Sequence, residues 1–225
     1  MDGKKVTRLA VQKKNQKRVN VYLDDEFAFG LSTYLALPLS IGQILSEEKI
    51  NELLAADHDE TVYLRAVSYL DARPRTEGEI RKKLKTIGCE EPDIEKVIAR
   101  LKECGLVNDE QFSDLWVEDR NLYKPRSRRA LRYELKQKGV PEEIIQQALE
   151  NTDDYRAAFV LADQRKSRWV GLEWKDFKQK AGNYLAGKGF GYDVVRETLR
   201  QLWDQMNAED VDSEDETEEL GNAEN

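Results

Sequence analysis

The chain has 225 residues, 36% charged and 40% hydrophobic, and no run approaches the roughly 20 apolar residues that a bilayer-spanning helix needs. One histidine and two cysteines leave little from which to build a nucleophilic triad or a thiolate metal site. The net charge of −8 misleads, because residues 207–225 hold nine acids and no Lys or Arg, which leaves 36 basic and 35 acidic residues, a balance of +1, in the rest.

The N-terminus, Met1-Asp2-Gly3-Lys4-Lys5-Val6, has a basic start without an apolar core, so the cytosol is the expected compartment. Thr7, Leu9 and Val11 form one alternating run. Val19, Val21 and Leu23 form a second, and Phe27 and Phe29 continue the alternation beyond Asp24-Asp25-Glu26. This period of two predicts a small sheet built on a hairpin, too small to stand without packing on the helical segment after it. After Gly42 the pattern turns helical: Ser46 is placed to cap a helix carrying Ile50, Leu53 and Leu54.

From about Thr61 the chain repeats itself. A leucine stands four residues before a glycine in Leu84…Gly88, Leu135…Gly139 and Leu185…Gly189, with the glycines 51 and 50 residues apart. A bulky apolar or thiol residue follows each glycine (Cys89, Val140, Phe190), and an amphipathic helical pattern comes next. Two further helical patterns precede each glycine, so the repeat is a three-helix unit with a period near 50. Thr76 and Glu79 have the spacing of a capping box, and the three glycines suit the left-handed residue that ends a helix. The expected fold is mainly α: three tandem three-helix repeats in an elongated curved array behind an N-terminal β-hairpin or sheet and helix. The expected segments are 1–60 for the sheet and helix, 61–107, 108–151 and 152–206 for the repeats, and 207–225 for a disordered acidic tail. Stacked repeats of this kind present extended surfaces that hold long partners.

No phosphate-cradling glycine motif is present, and His58 sits in a polar stretch expected to be a helix junction, so neither catalysis nor a cofactor is predicted. Asp24-Asp25-Glu26 could offer oxygen ligands to Mg²⁺, but reads as a solvated turn. Cys89 and Cys104 read as reduced, small apolar residues. Trp169, beside Arg165, Lys166 and Arg168, could stack on a base and reads rather as a packing residue.

The basic residues are more informative. Lys4 to Arg18 holds seven basic residues and no acid, and Arg73 and Arg75 precede a helix that carries Arg81, Lys82 and Lys85. Arg120 to Lys138 holds eight basic residues and one acid, Glu134, and within it Arg128, Arg132 and Lys136 recur every four residues along one helix face. Arg126 and Arg129 belong to the same run. Because it lacks the alternating acids of a solvated face, this run is the leading candidate for meeting phosphates or an acidic protein surface.

Several segments resemble the RecX family of regulatory proteins. They are Ala66-Val-Ser-Tyr-Leu-Asp-Ala-Arg73-Pro-Arg75-Thr76-Glu77-Gly-Glu79-Ile80, Gly105-Leu-Val-Asn-Asp109-Glu-Gln-Phe112, Pro125-Arg126-Ser-Arg-Arg129-Ala-Leu-Arg132-Tyr-Glu134-Leu135 with Gly139-Val140, and Gly189-Phe190-Gly-Tyr192-Asp193-Val-Val195. The likeness covers roughly 63–203 and, more loosely, the N-terminal sheet; the acidic tail lies outside it. It implies three tandem three-helix repeats and a regulator, not an enzyme, that lies in the groove of the RecA recombinase filament on single-stranded DNA. Such a regulator restrains filament growth, ATP hydrolysis, strand exchange and the SOS co-protease activity. Arg73, Arg75, Arg126, Arg128, Arg129, Arg132 and Lys136 are the expected contacts to RecA or to DNA phosphate. A monomer without metal, cofactor or membrane contact, with at most weak direct DNA binding, is expected. The tail reads as solubilising; folding over a basic face, or mimicry of DNA, is the other option. Two rivals remain: a DNA-binding helical-repeat protein that acts without RecA, and a Mg²⁺-dependent nuclease using the acids near Asp24.

Overall fold

The structure is a computed structural model that describes residues 3–221, with side chains through residue 208. The side chains of the expected acidic tail therefore lie, from residue 209 on, outside the described residues. The chain divides into two compact units, Met1–Val107 and Asn108–Asn225.

The first unit opens with β1 (Lys4–Val11), β2 (Arg18–Leu23) and β3 (Glu26–Ser32), followed by the short α1 (Thr33–Ala36) and β4 (Ile44–Leu45). All pairings are antiparallel, and the strand order is β3-β2-β1-β4. The β2–β3 loop is the two-residue Asp24-Asp25, both at positive φ (50° and 69°), a geometry that matches strand twist in a tight hairpin. The inner face buries Val6, Val19, Val21, Leu23, Phe29 and Leu31 against Ala36, Leu39, Leu45 and Leu53.

Simple alternation fails at two bulges, both beside Tyr22. In β1, Val6 faces Leu23 and Arg8 faces Tyr22, so Thr7 is an extra residue; Val6 and Leu9 thereby share the inner face. In β3, Phe29 faces Val21 and Phe27 faces Tyr22, so Ala28 is extra. Phe27, expected on the same face as Phe29, is instead turned outward and is 60% exposed.

Helix α2 (Glu47–Leu70) is continuous where the sequence reads two helices with a junction at His58. Its first half packs Leu53 on the sheet, and its second half packs Val62 and Ala66 in the first repeat, while Leu54 stays exposed. The join between the two halves is polar. Asp57, 7% exposed, accepts from Arg18 Nη2 at 2.7 Å and from the Ser32 backbone N–H at 2.6 Å. Charge-assisted bonds of this kind satisfy a carboxylate that burial would otherwise penalise. His58 is exposed and donates to Asp93 at 2.7 Å.

Helices α3 (Glu77–Thr86) and α4 (Glu91–Glu103) complete the first repeat. The second unit holds α5 (Asp109–Tyr123), α6 (Arg128–Gln137) and α7 (Glu142–Ala148), then α8 (Asp154–Asp163), α9 (Trp174–Gly187) and α10 (Tyr192–Gly221). The leucine–glycine marker of each repeat is one capping device. Gly88, Gly139 and Gly189 have φ of 84°, 78° and 93°, and the next residue's N–H donates back to the leucine carbonyl: Cys89 to Leu84, Val140 to Leu135, Phe190 to Leu185. This is the bond pattern of a Schellman cap, with the leucine and the residue after glycine both turned to the core. Leu84, Leu135 and Leu185 are at most 1% exposed, and Val140 and Phe190 are 5%. The expected capping box at Thr76 and Glu79 is present. Trp169 is buried edge-on against Phe177, in the packing role expected. Cys89 packs on the core of the first repeat, but Cys104, the C-cap of α4, is exposed and its Sγ accepts from the Tyr63 hydroxyl at 3.9 Å.

Candidate partner-binding site

Each expected contact residue is basic, and the structure separates those that already have partners from those that do not. In the first repeat most are occupied. Arg73 makes a two-pronged pair with Glu79, at 3.1 and 2.6 Å, and also donates to the Pro74 carbonyl. The hydrogen bonds that Arg73 donates to Glu79 outweigh desolvation and raise the Arg73 pKa above its ordinary value. Glu79 is also the carboxylate of the capping box, so Arg73 completes the start of α3. Arg75 lies over the Tyr69 ring with its guanidinium carbon 4.1 Å from the centroid. Arg81 meets Glu77, Glu95 and Glu91 at 2.6, 2.6 and 3.5 Å, and Lys85 meets Glu91 at 2.8 Å. Burial pushes the Glu77 carboxyl up, but Lys102 and Arg81 together hold it below its ordinary value. That half of the basic inventory is therefore largely an internal ion-pair network.

The second repeat differs. Helix α6 has an inner side made by Leu131 and Leu135, both fully buried, with Glu134 on the flank. Glu134 gathers the nearby cations: it accepts from Trp116 Nε1 at 2.9 Å and from Arg120 Nε at 3.0 Å, and Arg126 Nε lies at 3.7 Å. Arg120 and Lys138 also lie over the Trp116 ring, at 4.0 and 4.1 Å. Arg126 thus belongs with the inner side.

At 100° per residue, Arg129 and Lys136 fall on the side away from Leu131 and Leu135, Arg132 lies at the edge of that side, and Arg128 starts the helix on the side of Leu135. Arg128, Arg129 and Lys136 are exposed and have no side-chain ion pair among the described residues, and Arg132 has one loose contact, 3.4 Å to Glu142. Tyr133, 65% exposed, stands among them, four residues after Arg129 and three before Lys136. Sequence reading passed over Tyr133; its place on the stripe opposite Leu131 and Leu135 was the available signal.

The face is held in place from behind. Ser127, fully buried, caps α6 by accepting from the Ala130 N–H, and its hydroxyl donates to the Lys188 carbonyl at 3.4 Å. The Arg128 backbone N–H donates to Asp154 at 2.6 Å. Both Lys188 and Asp154 belong to the third repeat, so the second and third repeats fix α6 between them. The first turn of α6 holds two arginines and no acid, unlike the acidic first turns of α3, α4, α5 and α7. An arginine fork there suits either a carboxylate or a phosphate.

Among the described residues no helix is long and apolar enough to cross a membrane.

Comparison with known proteins agrees with this architecture segment by segment. Family profiles match residues 4–46 ("Regulatory protein RecX N-terminal domain"), 63–101 ("RecX, first three-helix domain"), 108–149 ("RecX, second three-helix domain") and 152–199 ("RecX, third three-helix domain"). The chain is 31% identical to the "Regulatory protein RecX" of Clostridium botulinum (strain Eklund 17B / Type B), over 88% of this chain and 95% of the relative. It is 33% identical to that of Clostridium perfringens (strain SM101 / Type A), over 88% and 96%, and 29% identical to that of Bacillus subtilis (strain 168), over 93% and 81%. A solved structure titled "Crystal structure of regulatory protein RecX" superposes with a TM-score of 0.68 at 28% identity, covering 86% of this chain and 97% of the other.

Proposed function

The chain belongs to the RecX family of regulatory proteins, and from that membership we propose that it binds the RecA recombinase filament on single-stranded DNA and restrains its ATP hydrolysis, strand exchange and SOS co-protease activity. The observation that carries the reading at residue level is the outward face of α6. There Arg129 and Lys136 have no internal ion pair and flank an exposed Tyr133, while Arg128, also without an ion pair, stands at the start of the helix. Desolvating an arginine is offset only where an acidic or phosphate partner awaits it, and a tyrosine flanked by unpaired cations has the composition of an interface centre. Arg73, Arg75 and Arg126 contribute less, since binding through them must first break contacts to Glu79, Tyr69 and the Glu134 cluster. The protein works as a monomer in the cytoplasm, by binding and not by catalysis.

Co-sedimentation with preassembled RecA filaments tests this directly. Wild-type chain should pellet with filaments, and a variant with Arg128, Arg129 and Arg132 changed to Glu should remain in the supernatant. Equal pelleting of the two would remove α6 from the interface; failure of the wild type to pellet would remove the RecA reading. A DNA-binding protein that ignores RecA predicts retention on naked single-stranded DNA with no gain when RecA is added.

A further inference from the structure

We propose that the outer face of the N-terminal sheet, together with the groove that continues from it along α2, is a binding site for single-stranded nucleic acid. The site lies wholly in the first unit and does not depend on the RecA reading. Its first component is aromatic. The bulge at Ala28 sets Phe27 opposite Tyr22, where the two rings meet edge to face at 5.9 Å. The Arg8 guanidinium lies 3.7 Å over the Tyr22 ring from the neighbouring strand. Phe27 is 60% exposed at this spot. An apolar ring held outward by a bulge contributes nothing to the core, yet stacks readily on an unpaired base.

The second component is the row behind the rings. Asn20 lies between Ala10 and Gly30 on adjacent strands, and its Oδ1 accepts from Gln12 Nε2 at 2.7 Å. The Gln12 and Arg18 side chains fold over Gly30, where a Cβ would lie 3.1 Å from Gln12 Nε2 and 3.6 Å from Arg18 Nη2, so this row offers a ligand hydrogen-bonding groups and not an open platform. The face then ends at Arg18 and Ser32, about 13 Å along β2 from Tyr22 at strand rise, and there it opens into a groove of about 750 Å³.

The third component is the charge of that groove. Lys17, Arg65 and Lys83 line it, exposed and without an ion pair among the described residues, and its one acid, Glu60, is neutralised by Arg100 at 2.7 Å. Arg18 is already committed to Asp57 and shapes the floor. The other end of the sheet is acidic, at Asp24, Asp25 and Glu26. The site is therefore polar along its length: bases at the aromatic end, phosphates leaving toward Lys17. A duplex, whose bases are stacked and paired, cannot use the rings, so the ligand is a single strand. An acidic polypeptide would satisfy the lysines but leave the aromatic end without function.

The test is fluorescence anisotropy of the full chain with a labelled oligo-dT, across a salt series. Phe27→Ala and Phe27→Leu should each weaken binding roughly tenfold, as loss of one stacking platform does, whereas Phe27→Trp should bind as well as wild type. Changing Lys17, Arg65 and Lys83 to Ala together should lower the salt slope by about 2, at roughly 0.7 per phosphate contact. A duplex of the same length should bind more weakly than the single strand. The proposal is overturned if wild type does not bind oligo-dT, if Phe27→Leu binds like wild type, or if a poly-glutamate peptide binds with the same dependence on Phe27. Because Phe27 is exposed and belongs to the first unit whereas α6 belongs to the second, each variant should pellet with RecA filaments as wild type does, which separates failure here from failure of the RecA reading.

Discussion

The first and second repeats have similar densities of basic side chains and put them to different uses. Around α3, Arg73, Arg81 and Lys85 meet Glu79, Glu77, Glu91 and Glu95 in close ion pairs, and Arg75 rests on Tyr69. On α6, Arg128, Arg129 and Lys136 meet no carboxylate, because the one acid on that helix, Glu134, is on its flank and already gathers Arg120 and Trp116. Charge density in a sequence therefore does not measure availability. What decides it is where acids fall one turn away or on the next helix: α3 and α4 supply them and α6 does not.

The comparison predicts that the two sets of arginines separate in experiment. Reversing Arg128, Arg129 and Arg132 to Glu should raise the concentration needed to restrain RecA by at least about a hundredfold, since several contacts act together, with unchanged far-UV circular dichroism. Removing Arg81 alone should do the opposite, lowering the denaturation midpoint of the chain while leaving the RecA effect within about twofold, because its carboxylate partners lose their cation. Were Arg81→Ala to abolish regulation at unchanged stability, the division between structural and available cations would fail.

A second contrast concerns how each set is held. Gly189 ends α9 at φ 93°, and a Cβ there would lie 2.6 Å from Ser127 Oγ, the residue that caps α6. Gly189→Ala should cost at least about 1–2 kcal/mol from backbone strain alone and weaken regulation by loosening α6. Gly88 has similar φ but open space around it, so Gly88→Ala should cost the strain without the loss of regulation. Equal regulatory loss from both would point to global destabilisation instead. Thermal unfolding alongside filament binding distinguishes the two.

The smallest expected effect is on pH. Glu77 and Glu95 both have pKa values held below the ordinary 4.5, so the folded state binds fewer protons than the unfolded chain in this range. Their stabilisation is complete above that value and is lost as pH falls through the depressed range. A shallow fall in denaturation midpoint below about pH 4.5 is expected, and it should shrink in Arg81→Ala, where Glu95 loses its hydrogen-bonded cation and Glu77 keeps Lys102.

Much of the fold was legible in the residues, because its boundaries rest on local chemistry. The leucine–glycine marker is a capping geometry that short-range hydrogen bonds impose, and Thr76 with Glu79 closes on itself. What escaped was set by longer-range pairing. The bulges at Thr7 and Ala28 shift phase without any glycine or proline to announce them, so alternation alone places Phe27 inward. The continuity of α2 depends on Asp57 finding Arg18 and Ser32, 39 and 25 residues away, which turns an apparently polar junction into a buried anchor. At the candidate site, the stripe of Arg128, Arg132 and Lys136 followed from helical spacing alone. Which arginines were free did not, because Glu79, Tyr69 and Glu134 reach their cations by tertiary packing or by loop geometry, and not at regular helical spacing.

The most direct measurement is single-stranded-DNA-dependent ATP hydrolysis by the cognate RecA, with the wild-type chain and the Arg128, Arg129 and Arg132 to Glu variant titrated below equimolar. The account predicts inhibition by wild type at substoichiometric ratios and none by the folded variant. No inhibition by folded wild-type chain, or full inhibition by the variant, would contradict it.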